Sequence, residues 1–110
     1  MIHLDTEYLK EIRLILRSHF PEVEVRVFGS RVNGDPQKYS DLDLVLVASE
    51  KLDWRKIERL KDAFSESDLP ILVDVHDWHT LSDQFKAIIN KKYEVLQPGN
   101  VDSQKNGFTG

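Results

Sequence analysis

Apolar positions recur along this chain with two periods, and the switches between them mark out the elements. Leu9, Ile12, Ile15, Leu16 and His19 fall at helical spacing, which predicts a helix over Leu4–His19 with Asp5 as its N-cap. Phe20-Pro21 ends it, because proline disfavours helical geometry in the residue before it. Val23, Val25 and Val27 then alternate with Glu24 and Arg26, the period of two that belongs to a strand with one apolar face. Gly29 closes that strand, and Ser30–Gly34 reads as a short helical turn. Residues 35–40 are polar and contain Pro36, so they read as a loop.

The second strand spans Asp41–Val47. Leu42, Leu44 and Leu46 share one face, and Asp41, Asp43, Val45 and Val47 share the other. A helix follows over Asp53–Phe64, capped by Asp53, with Trp54, Ile57, Leu60, Ala63 and Phe64 on its apolar stripe. Ser65–Pro70 reads as a loop. Ile71–His76 is a nearly continuous apolar run, which predicts a strand covered on both faces. Leu81, Phe85, Ile88 and Ile89 mark a last helix, and Tyr93–Leu96 a short edge strand. The resulting order predicts an α+β fold: a small mixed β-sheet with helices packed mainly on one face. The domain is expected over residues 1–97, and the polar stretch 98–110 as a disordered C-terminal tail.

Composition narrows the class. A length of 110 residues suits one domain with a modest core. The absence of cysteine excludes a disulfide framework, a thiolate metal site and a cysteine nucleophile. Nineteen acidic residues against 15 basic ones give a net charge of −4, which argues against direct binding of a nucleic-acid backbone. The opening MIHLDTEYLK has no basic n-region and no long apolar core, so no signal peptide is expected. No stretch approaches the roughly 20 apolar residues of a membrane span. A small intracellular domain rich in carboxylates is the expectation, and the position of those carboxylates becomes the question.

Asp41 and Asp43 stand two apart on one strand, hence on one face, about 6.5–7 Å apart along the chain. Two carboxylates there repel unless a cation lies between them, and hard ions such as Mg²⁺ take such ligands together with substrate phosphates. An Asp-x-Asp alone is equally compatible with two solvated side chains at a strand mouth. Gly29-Ser30 follows a strand and opens a helical turn, with Arg31 next. Glycine permits a close backbone approach, N–H groups at a helix start favour anions, and Ser30 and Arg31 add a donor and a charge. Taken singly, this is also an ordinary turn. Asp74 lies inside the apolar run ILVDV, where an ionised carboxylate is costly unless paired, metal-bound or protonated. His76 and His79 are three apart, a spacing unsuited to shared ligation from an extended strand. With no cysteine to join them, they read as strand-end and capping residues rather than a zinc site.

The stretch FGSRVNGDPQKYSDLDLVLV, with Gly29-Ser30 ten residues before Asp41-Leu42-Asp43, resembles the signature of minimal nucleotidyltransferases in the polymerase-beta-like nucleotidyltransferase superfamily. The resemblance is close over Val25–Val47 and looser to about Leu96. It implies a nucleotidyltransferase-like fold and transfer of AMP from ATP to a hydroxyl acceptor. It implies metal binding by Asp41, Asp43 and Asp74, two Mg²⁺ ions with Mn²⁺ as an alternative, and a triphosphate held by Gly29 and Ser30, with Arg31 at the leaving pyrophosphate. It further implies a cytoplasmic, prokaryotic antitoxin whose acceptor is a tyrosine of a HEPN-domain toxin, the two forming a hetero-oligomer. Two alternatives stand beside it: neutralisation of the partner by contact alone, and transfer to a small-molecule acceptor.

Overall fold

The computed structural model of this chain describes residues 2–33 and 40–99. Helix α1 spans Thr6–His19. The Asp5 carboxylate accepts the Glu7 N–H at 2.8 Å, satisfying a donor that the first turn leaves over, and Ile12 and Leu16 bury one face. Strand β1 (Glu24–Phe28) runs into α2, the short turn Ser30–Asn33. Strand β2 is Leu42–Val47 and helix α3 is Trp54–Ser65, capped by Asp53 through the Arg55 N–H at 2.9 Å. Strand β3 (Val73–Asp77) leads through a 3-10 turn at Trp78–Thr80 into α4 (Asp83–Lys91), and β4 (Glu94–Gln97) closes the sheet.

The strand order is β3-β2-β1-β4. β1 pairs antiparallel with β2 and β4, and β2 pairs parallel with β3, so the sheet is mixed. The two central strands carry the alternation of the sequence into two cores. Val25, Val27, Leu42, Leu44 and Leu46 pack with Ile12, Leu16, Ile57, Leu60 and Phe64 of α1 and α3. Each such fully buried aliphatic side chain contributes roughly 1.5–3 kcal/mol. On the opposite face, Phe28 and Val45 meet Ile89 of α4, with Trp78, Phe85 and Tyr93 around them. Most helical mass thus lies on one face, and α4 covers part of the other.

Two expectations are corrected. β3 is an edge strand beginning at Val73, and Leu72 before it is 72% exposed, so the apolar run is not covered on both faces. Trp54 is 69% exposed at the first position of α3, outside the apolar stripe. Most of the expected loop 35–40 (residues 35–39) and of the expected tail 98–110 (residues 100–110) lies outside the described residues. No helix among the described residues is long and apolar enough to cross a membrane.

Candidate active site

Strand register assembles the site. Asp43 on β2 lies opposite Phe28 of β1 and opposite Asp74 of β3. Residues paired across neighbouring strands share a face, so the two carboxylates stand side by side on the face that α4 partly covers. His76, two residues beyond Asp74, shares that face, and its Nε2 lies 3.3 Å from Asp74 Oδ2. The ligand atoms of Asp43, Asp74 and His76 all lie within 4.8 Å of one another. They line an open cleft of about 580 Å³, a size common for small-molecule sites. Gly29 and Asn33 border it on one side, and Phe85, Ile88 and Lys91 of α4 border it on the other.

Gly29 has φ +84°, a region that side chains disfavour, and a Cβ at this position would lie 2.5 Å from Asp43 Oδ2. The glycine therefore serves both the turn and the close approach of the carboxylate. Its carbonyl accepts the N–H groups of Val32 and Asn33 at 3.1 and 3.0 Å, starting α2 directly after β1. Half-buried Ser30 is the first residue of that turn.

The Asp43 carboxyl holds its proton above the ordinary aspartate range. Burial is the largest cause, and the neighbouring Asp74 and Asp41 charges add to it while His76 offsets part. A half-buried carboxylate disfavoured as an anion, with a second carboxylate and an imidazole beside it, is a donor set that a divalent cation fits. Asp41 precedes β2 and is exposed; it acts on Asp43 through charge but is outside the three-residue cluster.

Arg31 is held by backbone carbonyls. It is only 6% exposed, and its guanidinium donates to Ser40 O from Nε (3.3 Å) and Nη2 (2.9 Å) and to His3 O from Nη1 (3.0 Å). The His3 N–H donates back to Arg31 O at 2.7 Å. These bonds clamp the chain before α1 to the chain entering β2 beside the Gly29–Ser30 turn.

Sequence reasoning left His76 out of the site, although the period of two from Asp74 places it on the same face. The Phe28 ring lies 5.7 Å from both His76 and Phe85, and His76 and Phe85 are 6.0 Å apart. Asp77, rather than either histidine, caps the 3-10 turn. Asp77 accepts the His79 N–H at 3.0 Å and the Leu52 N–H at 2.9 Å, and His79 Nε2 bonds Ala48 O at 2.7 Å. Arg26 sits 4.4 Å from the Tyr93 ring centre and 5.5 Å from that of Trp78, stacking on aromatic residues around α4.

A family model described as a nucleotidyltransferase domain matches residues 9–103. The chain is 48% identical over 96 residues to the probable protein adenylyltransferase MntA of Haemophilus influenzae, covering 87% of this chain and 84% of the relative. A chain of the crystal structure of a toxin–antitoxin with AMP-PNP superposes with a TM-score of 0.61 at 25% identity, over 87% of this chain and 77% of that one. A chain of the complex between the tri-AMPylated Shewanella oneidensis HEPN toxin and its MNT antitoxin superposes with a TM-score of 0.59 at 24% identity, over 92% and 78%. At that identity the second likeness speaks for the fold.

Proposed function

The chain belongs to the nucleotidyltransferase domain family, and from that premise we propose that it transfers AMP from ATP to a tyrosine hydroxyl of a HEPN-domain partner and so acts as an antitoxin. The observation that carries this reading is the juxtaposition of Asp43 and Asp74 across a parallel strand pair, made possible by Gly29. The relative's name, protein adenylyltransferase, and the AMPylated toxin in a related complex supply the acceptor class.

In the reaction, the acceptor oxygen attacks the α-phosphorus of ATP. The bond from that phosphorus to the oxygen bridging to the β-phosphate breaks, and pyrophosphate leaves. Asp41, Asp43 and Asp74 would hold two divalent cations, Mg²⁺ or Mn²⁺, which supply charge neutralisation and Lewis acidity at the phosphates. Gly29 and the Ser30 turn hold the triphosphate against the end of β1. Asp74, whose side chain is 55% exposed at the sheet edge, faces the side from which an acceptor arrives and takes up the hydroxyl proton. Arg31 acts as a positioning residue for the Gly29–Ser30 turn. The setting is a bacterial cytoplasm.

The test is an incubation of the full chain with its HEPN partner, ATP and Mg²⁺, read by intact mass. The partner gains AMP units on tyrosine, and Asp43→Asn prevents the gain. An unchanged mass with the native protein counts against the assignment.

A further inference from the structure

The donor set of the cleft is not all oxygen. Besides Asp43 and Asp74, the cluster contains an imidazole, and the His76 Nε2 atom is the one directed at Asp74. An ion pair between an exposed carboxylate and a histidine is worth little to stability, which leaves the arrangement without a structural reason. The ring is nevertheless held. It is half-buried, with Phe28 at 5.7 Å in a tilted contact and Phe85 at 6.0 Å edge-on, so packing from two sides sets its direction before any ligand arrives. Asp41, the other carboxylate of the Asp-x-Asp pair, lies outside this cluster. Imidazole ligands favour first-row transition ions, whereas Mg²⁺ prefers oxygen donors and keeps its waters.

We propose that His76 is a direct metal ligand together with Asp43 and Asp74, and that this cation position selects a first-row transition ion such as Mn²⁺ or Co²⁺ over Mg²⁺. The inference rests on the nucleotidyltransferase reading and deepens it, because it names the ion class at one of its cation positions. It also assigns the aromatic pair Phe28 and Phe85 a task, which is to aim the imidazole.

The experiment uses the full chain without nucleotide, titrated with Mn²⁺ alone and in competition with Mg²⁺, followed by electron paramagnetic resonance. The expected result is Mn²⁺ binding at least about tenfold tighter than Mg²⁺, with nitrogen coupling in the pulsed spectrum of the bound ion. In His76→Gln the coupling disappears and the preference falls by about tenfold, while Mg²⁺ binding changes little. Nitrogen coupling absent from the native protein, or equally present in His76→Gln, overturns the proposal, and the native spectrum alone decides this if the variant fails to fold. Asp43→Asn separates the two levels. If it abolishes Mn²⁺ binding while His76→Gln leaves the preference intact, only the role of His76 falls. If neither variant alters binding, the cation site itself falls, and the inference with it.

Discussion

Asp43 shows how a single residue trades stability for chemistry. Its folded-state pKa is raised, chiefly by burial and then by Asp74. The native state therefore keeps a proton that the unfolded chain has already released, and stability falls as pH rises from the ordinary aspartate range through the raised value. Above that value the cost is complete. Asp43→Asn removes the cost, so in the absence of metal the variant should melt a few degrees higher near neutral pH. The difference should vanish at acidic pH, where both forms are uncharged; a series of thermal melts across pH checks this. The same variant should lose at least ~100-fold in transfer rate, since even residues that only orient metal ligands cost about 10–100-fold. Gly29 makes the opposite trade. Gly29→Ala places a Cβ at φ +84° and 2.5 Å from Asp43 Oδ2. The strain should destabilise the fold by more than ~1 kcal/mol in urea titrations, and displacement of the carboxylate should also lower activity. Both residues were visible in the sequence as a pattern. That they touch was not, because contact depends on how β1 meets β2.

At the scale of elements, the sequence was most informative where one residue type served one local task. Asp5 and Asp53 were readable as caps, and each accepts the expected backbone N–H. The alternation in β1 and β2 was readable because those strands are central and each face meets a packed layer. Ile71–His76 misled because an apolar run says nothing of strand order. The last partner of a parallel pair is an edge, and Leu72 is left in solvent. Trp54 misled because the helical spacing extends one turn before Ile57, the first residue of α3 that is buried. A charge beside a glycine turn, as at Arg31, suits a phosphate and a carbonyl clamp equally, and the sequence does not show the chain path that brings His3 and Ser40 to it. The clamp makes its own prediction. Arg31→Met keeps the stem and loses the donors, so it should reduce stability by about 2–4 kcal/mol, read as a lower urea midpoint at unchanged slope. A stable Arg31→Met protein with lost activity would return the guanidinium to the phosphates.

For the whole molecule, the question is where the acceptor comes from. The cleft of about 580 Å³ matches one nucleotide, and among the described residues no second lobe faces it. Asp74 lies on the edge strand with its carboxylate largely in solvent, while Asp43 is recessed beside it. Under the proposed function, the acceptor hydroxyl approaches from the solvent side of the sheet, where Asp74 is exposed. The net charge of −4 is no obstacle under this reading, because bound cations would neutralise the carboxylates of the site, and Lys91 and Lys92 also line the cleft. Under the proposed function, a partner that docks beside the cleft and only presents its tyrosine to it separates docking from transfer, so an Asp43→Asn, Asp74→Asn double variant should still form the complex with the proposed HEPN partner at nearly native affinity. If transfer is what neutralises the toxin, the same variant should fail to relieve toxicity at matched expression, and the partner recovered with it should show no added mass. Co-purification, growth and intact mass measured on one set of strains give the answer. Full relief of growth by the double variant, with the partner unmodified, would mean that contact alone neutralises the toxin and that transfer serves some other end.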